Sequence, residues 1–426
     1  MRRMSYALLA LAAVVCSIGT GVLTYHSAIE ADAQARLKAE TMDRLAQETW
    51  YLPLSEEYSG LHAIKGADRE LYGAVVKDRE VLMDRSGKVI LKIPESMTVF
   101  DMSLGWVTDY MDTGSEGDGM LMFQDKESEK LGYMDLDGSV VIKARYEEAT
   151  AFEDGYAVKK EKTESGANVE APIDKSGRVL YDTSKLDKWP DLYTSAEPVG
   201  GKYFLMKPRG TGGNRLFDAE KEEIVKEWKS DEPWFRLRAL GENRCARMDD
   251  DGFLLLDESF EPLDEERRFI WMDRFSEGLC YARWTEDGKT VSGYVDTDGQ
   301  VQLRVPDVLY GSRFTEGKAF LWEKDRVSVI DKTGRKLFEK KLAEPLDEDN
   351  YRLRFYNDNV SSDLAECWYR EGLAICYDGK NFGIVDESGS WAIEPVFSWA
   401  SFSGKDAAVV SIEGKEGIWK AGGKNV

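Results

Sequence analysis

Histidine is nearly absent from this sequence. Only His26 and His62 occur among 426 residues. Zinc sites built on imidazole ligands, and Ser-His-Asp or Cys-His catalysis, each need a histidine at a defined place. The sequence therefore argues against those classes of metal centre and hydrolase.

Positive charge is in short supply as well. The chain has 57 lysines and arginines against 79 aspartates and glutamates, which gives a net charge of -22. Nucleic-acid binding depends on basic groups that neutralise phosphates, so we expect no nucleic-acid partner. The acidic side chains are expected to form a solvated exterior.

Cysteine is scarce and shows no redox or zinc-binding spacing. No Cys-x-x-Cys pair exists among Cys16, Cys245, Cys280, Cys367 and Cys376. The last two lie symmetrically about residues 371–372, where a hairpin would bring them near each other. A disulfide between them remains open, and the favoured alternative is that the cysteines are small buried thiols on strands.

Only one long apolar run occurs. It extends from Ser5 to Tyr25 after Arg2 and Arg3, and it is long enough to cross a bilayer as a helix. Because arginines favour the cytoplasmic side, the rest of the chain is predicted to lie outside the cell membrane. We favour an uncleaved anchor at residues 1–26 over a cleaved signal sequence, which would give a secreted protein. Residues 27–50, rich in Ala, Glu, Gln, Arg and Lys, are predicted to form a helical stalk.

A short motif recurs through the remaining body, residues 51–426. An apolar residue is followed by Asp, two variable residues and Gly, which we call the Asp turn. Six full copies have their Asp and Gly at Asp84 and Gly87, Asp135 and Gly138, Asp174 and Gly177, Asp296 and Gly299, Asp331 and Gly334, and Asp386 and Gly389. Degenerate copies at Asp218 and Asp257 bring the count to eight, with spacings of 35 to 55 residues.

The Asp turn has a structural interpretation and a metal-binding one. Asp at the start of a type I turn accepts hydrogen bonds from later backbone amides, and the Gly takes positive φ at little cost, which makes a hairpin with a bulge. The sequence around Asp296 and Asp298 also suggests a calcium loop, but the residues that follow lack the further ligands. Four of the six full copies carry Ser or Thr where the second Asp would be. The sequence therefore favours a turn over a metal site.

A second motif recurs in several units, each time at a similar position before the Asp turn of the same unit. It reads aromatic, any residue, acid and Gly, and we call it the acid-glycine turn. Its copies are Phe152–Gly155, Phe275–Gly278, Phe314–Gly317 and Tyr369–Gly372. Two motifs in one phase, with short apolar runs between them, predict units of three or four strands, which suits a propeller blade.

At residues 132–158 the body resembles the WG-repeat proteins of bacteria, whose pattern is Trp-Gly-Tyr-Ile-Asp-x-x-Gly, a Val-Ile-Pro strand and Phe-x-Glu-Gly-Leu-Ala. The resemblance extends over roughly residues 51–420 and is poorest from about Lys185 to Pro262. The Trp before Gly is replaced by Leu131, Ser292 and Phe382. The resemblance implies an all-β, propeller-like array that mediates binding and has no common catalytic residue. With eight units counted, we expect seven or eight blades.

The resulting functional prediction is a non-catalytic binding or scaffold module at the cell surface. Its partner is expected to be a protein or a cell-wall glycan, and no cofactor, metal or catalytic residue is predicted. The alternative is an envelope hydrolase that uses acidic residues at the centre of the propeller, since two carboxylates suffice for glycoside hydrolysis. Extra strands after the last Asp turn could pair with the first unit and close a ring, whereas an open array would require capping elements.

Overall fold

The structure is a computed structural model that describes residues 36, 39–64, 66–67, 69–99, 116–162, 168–181, 195–207, 213–229, 235–306, 308–346 and 367–421. The chain divides into two compact units, Met1–Thr49 and Trp50–Val426. In the first unit, residues 39–45 are helical, within the predicted stalk. The predicted membrane segment lies outside the described residues. None of the helical residues that are described belongs to a helix long and apolar enough to cross a bilayer.

The second unit is built from β-strands that follow one another as antiparallel meanders, which we number along the chain. Meander 1 contains β2 (Tyr58–Ala63), β3 (Tyr72–Val76), β4 (Arg79–Met83) and β5 (Val89–Lys92). Meander 2 contains β6 (Met97–Thr98), β7 (Glu116–Gly117), β8 (Met120–Asp125), β9 (Leu131–Asp135) and β10 (Val140–Tyr146). Meander 3 contains β11 (Glu148–Ala149), β12 (Tyr156–Lys162) and β13 (Asn168–Asp174). Meander 4 contains β14 (Ser195–Gly200), β15 (Tyr203–Lys207), β16 (Arg215–Asp218) and β17 (Glu223–Glu227).

The second half continues in the same way. Meander 5 contains β18 (Arg236–Gly241), β19 (Arg244–Asp249) and β20 (Gly252–Leu256). Meander 6 contains β21 (Phe269–Met272), β22 (Leu279–Glu286), β23 (Lys289–Asp296) and β24 (Val301–Arg304). Meander 7 contains β25 (Tyr310–Gly311), β26 (Lys318–Trp322), β27 (Arg326–Asp331) and β28 (Lys336–Lys341), and meander 8 contains β29 (Tyr369–Arg370), β30 (Leu373–Tyr377), β31 (Phe382–Asp386) and β32 (Trp391–Phe397). Meander 9 contains β33 (Trp399–Phe402), β34 (Ala407–Ile412), β35 (Lys415–Lys420) and, from the start of the unit, β1 (Trp50–Ser55).

Hydrogen bonding groups these strands into eight sheets among the described residues. Meanders 5 and 6 share one seven-stranded sheet, which is joined between β20 and β21 by the pair Phe253 and Phe269. The eight Asp turns counted in the sequence correspond to meanders 1 to 8. Meander 9 has no Asp turn, so counting this motif gives one unit fewer than the described strands form.

The two ends of the unit meet in meander 9. Its strand order is β1-β35-β34-β33, so the first strand of the unit lies beside the last one. Trp50 is opposite Trp419, and Leu52 is opposite Ile418. The terminal strands therefore pair with the start of the body, which is the ring-closing alternative.

The core lies between successive meanders, not within them. One buried cluster joins Leu52 and Val409 of meander 9 to Tyr72 and Val81 of meander 1. Similar clusters join each neighbouring pair from meanders 1 and 2 to meanders 5 and 6. Beyond meander 6 the neighbours are joined by contacts between aromatic side chains, such as that between Tyr281 of meander 6 and Tyr310 of meander 7. Phe320 of meander 7 stacks on Tyr369 of meander 8, and Trp368, next to β29, contacts Phe402 of meander 9, so contacts between neighbours pass around the whole unit.

Strand sequences follow from this arrangement. Middle strands are covered by a meander on each side, so they are short apolar runs such as β31, FGIVD, in which the first four residues are buried. Last strands are covered on one side only, and β17, EIVKE, alternates between exposed and half-buried residues. The exposed residues identify β5, β10, β17, β24 and β28 as the outer edges of meanders 1, 2, 4, 6 and 7.

The described cysteines are all buried, whereas three of the nine described tryptophans are buried and six are half-buried. Trp284, Trp322 and Trp419 are buried. Cys245, Cys280, Cys367 and Cys376 are buried thiols. Burial raises the pKa of the Cys245 and Cys376 thiols to about 12, which keeps both protonated at neutral pH.

Candidate interaction surface

The Asp turns form bulged hairpins. In the first copy the Gly87 amide donates to the Asp84 carbonyl at 2.9 Å, and the Asp84 amide donates to the Lys88 carbonyl at 3.1 Å. The Asp84 Oδ1 atom accepts from the amides of Ser86 and Lys88. The glycines of the six full copies have φ between 73° and 88°. Each Asp carboxylate thus points into its own turn, and no group of three metal-ligating side chains occurs among the described residues.

The third position of the Asp turn explains the Ser and Thr found there. Their hydroxyls donate to Oδ1 of the Asp, at 2.6 Å for Ser86 and Thr333 and 2.7 Å for Ser388. The Thr333 hydroxyl is the main reason that the pKa of Asp331 falls to about 2. The hydroxyl therefore keeps the turn carboxylate ionised and oriented.

The glycine of the Asp turn also contacts the preceding meander. A Cβ atom at Gly138 would lie 2.7 Å from Leu91 Cδ1, and one at Gly389 would lie 2.5 Å from Phe338 Cγ. The outer strand of one meander therefore packs its side chain against the bare backbone of the next turn. Glycine is required there for its conformation and for its small size.

The acid-glycine turn joins neighbours through its carboxylate. Glu316 Oε1 accepts from the Glu371 amide at 2.6 Å, and Oε2 accepts from the Gly372 amide at 3.0 Å. Glu277 accepts from the Gly317 amide at 3.1 Å in the same way. Each acid has positive φ, as Glu316 does at 51°. The sequence indicated these turns but not that their carboxylates bind the next meander.

Two further acids take the same role outside the motif. Asp118 accepts from the Gly155 amide, and Glu242 accepts from the Gly278 amide at 3.1 Å. Neither acid has an aromatic residue three positions before a Gly, so the motif search passed over both. Their only sequence signal is an acid within a short polar turn between strands.

Glu153 is the most perturbed acid of this group. Its side chain is exposed, yet the surrounding protein reduces its solvation and raises the pKa of the carboxyl. Arg274 of meander 6 opposes that rise, while Asp154 and Asp118 add to it. Glu153 and Arg274 therefore interact electrostatically although meanders 4 and 5 separate them along the chain.

The outer edge carries a stripe of exposed aliphatic side chains. Seven of the eight large hydrophobic residues that are exposed in the described chain follow the turns of meanders 1 to 5. We call the following set the outer stripe: Val89, Ile90, Val140, Val141, Val179, Val225 and Leu263. Val140 and Val141 are the most exposed of them, at 44% each. In meanders 6 and 7 the corresponding exposed residues are Gln302 and Lys336.

Charged residues of both signs lie beside the outer stripe. The charged residues of β10 are Lys143 and Arg145, and Arg178 precedes Val179 in meander 3. In meander 4, β17 has Glu223 and Glu227 on either side of Lys226, which pairs with Glu261. Around Leu263 in meander 5 are Glu261, Asp264, Glu265 and Glu266, all exposed. Arg145 pairs with Glu161, and Arg178 pairs with Asp174 and Glu222, so much of the positive charge beside the stripe is paired within the chain.

Comparison with known protein families gives a direct result. The family model described as the WG containing repeat matches residues 132–160 and 382–415. The chain carries WG repeats. The first match covers β9 to most of β12, and the second covers β31 to the start of β35, so each WG repeat runs from the middle of one meander into the next.

Searches beyond the family find distant structural similarity. No curated protein sequence matches the WG-repeat chain. The computationally designed Ika8 protein has 11% identity and a TM-score of 0.39, over 85% of this chain and 98% of its own. BamB from Moraxella catarrhalis has 14% identity and a TM-score of 0.37, over 78% of this chain and 98% of its own. Apo AztD from Citrobacter koseri has 14% identity and a TM-score of 0.31, over 70% of this chain and 87% of its own.

Proposed function

We propose that residues 50–426 form a closed propeller of nine blades that acts as a non-catalytic binding scaffold, with the outer stripe as its contact surface. The nine blades are the nine meanders, the last completed by β1. The scaffold is held outside the cell membrane by the N-terminal apolar segment, or secreted if that segment is cleaved. Its partner is an envelope protein or a cell-wall glycan.

The observation that carries this proposal is the outer stripe. Exposed side chains of this size are common singly, but their recurrence on five successive edges favours a contact surface. The stripe covers only part of the ring, because in meanders 6 and 7 the aliphatic residues at these positions, Val301 and Leu337, are half-buried and their exposed neighbours, Gln302 and Lys336, are polar. A packing requirement common to all units would not produce that difference.

The central acids support a scaffold role as well. Glu242, Glu277 and Glu316 each accept backbone amides of the following meander. A catalytic carboxylate must be available to a substrate, whereas these groups stabilise contacts between blades. The recurrence of one arrangement from blade to blade fits assembly better than a single reaction centre.

Binding through the stripe can be tested with residues 50–426, a compact unit that contains all the described strands. The unit is immobilised and exposed to solubilised envelope proteins, and separately sedimented with purified cell-wall glycan. The double variant Val140→Ser and Val141→Ser should lose most of the retained partner. The matched control Gln302→Ser and Lys336→Ser, on the polar edges, should retain it. Equal retention by both variants, or no retention by the wild type, would overturn the proposal.

The alternative of an acid-dependent hydrolase has one observation in its favour. The raised pKa of Glu153, beside Asp154 and Asp118, is the condition that a general acid requires. Cell-wall glycan incubated with the body should then release reducing ends, and Glu153→Gln should abolish the release at unchanged thermal stability. Release that persists in Glu153→Gln, or no release by the wild type, would exclude this role for Glu153.

A further inference from the structure

A group of arginines in meanders 6 to 8 forms no ion pair among the described residues, whereas most other arginines of the body do. Its members lie on, or within two residues of, the first strands β21, β25 and β29. They are Arg268, Arg274, Arg313 and Arg370. In a chain with a net charge of -22, packing alone does not require four such guanidinium groups in one place.

The first strands of these meanders form the inner edge of the ring. The last strands β24 and β28 are the outer edges of meanders 6 and 7, so the first strands lie on the opposite side. The segments that follow them also contact one another. The Ser276 hydroxyl donates to the Phe314 carbonyl at 2.6 Å, and the Tyr369 amide donates to Thr315 Oγ1 at 2.9 Å. In the proposed closed ring, neighbouring blades approach in this way at the centre.

Arg274 and Arg313 have the same position in successive meanders. Each directly precedes the aromatic residue of an acid-glycine turn. Arg274 is exposed and interacts electrostatically with Glu153 of meander 3, although meanders 4 and 5 lie between them. In meander 8 the same position is the half-buried Trp368, and the Arg370 guanidinium lies 5.3 Å from the centroid of its ring. The inner edge therefore presents a row of cationic groups that ends in an aromatic ring.

Nearby acids do not neutralise this row. Glu277 and Glu316, in the turns that follow the first strands of meanders 6 and 7, accept backbone amides of the next meander. Glu277 also pairs with Lys332. At the other end of β21, Nη1 of Arg268 is buried and has no hydrogen-bond partner among the described residues. Buried donors are normally satisfied, so an acceptor from outside the chain would find donors here.

We propose that the inner edge of meanders 6 to 8 binds an acidic saccharide chain, with carboxylates held by Arg274 and Arg313 and a sugar ring packed against Trp368. The planar N–H fork of arginine matches the two oxygens of a carboxylate. An aromatic ring offers an apolar face to a sugar. Cations that repeat from blade to blade fit a chain of charged units better than a single ion. The inference rests on the proposed closed ring and adds a site separate from the outer stripe.

The test is isothermal titration calorimetry on residues 50–426 with three probes. Tetragalacturonate supplies both sugar rings and carboxylates. Maltotetraose has the same length without the charge, and inorganic tetraphosphate has charge without a sugar. Tetragalacturonate should bind, and each of the other two should bind at least about tenfold more weakly, because each lacks one of the two kinds of contact.

Variants separate the site from the overall charge. Arg274→Gln with Arg313→Gln should raise the dissociation constant for tetragalacturonate at least about tenfold. The matched control, Arg304→Gln with Arg335→Gln, removes the same charge from ion-paired arginines elsewhere in meanders 6 and 7 and should leave it unchanged. Trp368→Leu should weaken the binding of tetragalacturonate and not that of tetraphosphate.

Three results would overturn the inference. One is the absence of tetragalacturonate binding, and another is an equal loss with both pairs of arginine variants, since overall charge would then be responsible. The third is tetraphosphate binding as tight as that of tetragalacturonate, which would contradict a saccharide. The Val140 and Val141 variant should bind tetragalacturonate normally, so the failure of this site and the failure of the outer stripe are separate results.

Discussion

Meanders 6 to 8 and meanders 4 to 5 make the same kind of contact with different residues. In meanders 6 and 7 the acid-glycine turn bonds to the next meander. In meanders 6 to 8 the glycine of each Asp turn receives a side chain from the meander before it. Meander 4 instead has Gly200-Gly201 where the acid-glycine turn would be. Its Asp turn has Lys221 in place of Gly, and Glu222 takes the positive φ of 54°.

Meander 5 shows how the contact is kept when glycine is lost. Phe260 occupies the glycine position with φ of 59°, and its amide still donates to the Asp257 carbonyl at 3.0 Å. Its ring packs against Tyr203 of meander 4 with centroids 5.1 Å apart. In meander 8 the side chain comes from the preceding outer strand, whereas here the turn itself supplies it. The contact between neighbouring meanders is retained in both cases, but the side chain that fills it comes from the earlier meander in one case and from the later meander in the other.

The largest expected effect comes from removing that ring. Phe260→Ala leaves a cavity between meanders 4 and 5 and keeps the strained backbone, so the free energy of unfolding should fall by about 3 to 5 kcal/mol. Urea denaturation of residues 50–426 measures it. A loss below about 1 kcal/mol would mean that Phe260 does not carry the contact.

Adding a methyl group to a turn glycine tests the arrangement in meander 8, where the glycine receives a side chain from the meander before it. Gly389→Ala forces alanine into positive φ and places Cβ against Phe338, so we expect a loss of about 2 to 3 kcal/mol. Gly414→Ala is the matched control, because Gly414 has φ of 77° and no atom within 4 Å of the added Cβ. It should lose only about 1 kcal/mol. Equal losses would show that the turn glycine is needed for conformation alone.

Removing one carboxylate should have a smaller effect. Glu316→Gln replaces charge-assisted bonds to two amides of meander 8 with a weaker acceptor, at a cost of about 1 kcal/mol. Amide hydrogen exchange at Gly372 should accelerate. The control is Glu371→Gln at the equivalent turn, where no carboxylate bond to the next meander occurs among the described residues. Unchanged exchange at Gly372 in Glu316→Gln would contradict the assignment.

The smallest effect is a pH dependence of the Asp turn. The pKa of Asp331 is about 2, which is below the value of about 3.9 in an unfolded chain. A lowered pKa means that the carboxylate stabilises the fold above about pH 4 and that this contribution is lost as the pH falls towards 2. Carboxyl titration by NMR should give the low pKa, and Thr333→Val should raise it. An unperturbed value near 4 would contradict the hydrogen-bonded turn.

Features that depend only on neighbouring residues in the sequence could be predicted from it. The Asp turn and its glycine follow from backbone geometry, so they could be recognised at Asp135 and Gly138 without a structure. The bond from Glu316 to meander 8 could not, because a Glu-Gly turn is locally complete and gives no sign of its partner. The pairing in meander 9 stayed an open alternative at the sequence level, because β1 and β35 lie at opposite ends of the body and neither is marked by an Asp turn.

Phe260 shows the limit of motif reading. A large aromatic residue at a glycine position looks like loss of the turn, and only the contact with Tyr203 explains why it is tolerated. The outer stripe was missed for a related reason. The sequence predicts a strand at both Val140 and Val385, although Val140 is exposed and Val385 is buried. Their different exposure depends on which strand of the meander they belong to, and the sequence does not give that position.

The central claim is that contacts pass from each meander to the next around a ring closed by β1. Hydrogen exchange on residues 50–426 and on residues 56–426, which lack β1, tests it most directly. Without β1, peptides from β35 and from β2 and β3 should exchange faster, because Leu52 packs against both meanders 9 and 1. Identical exchange in these peptides would show that β1 does not close the ring.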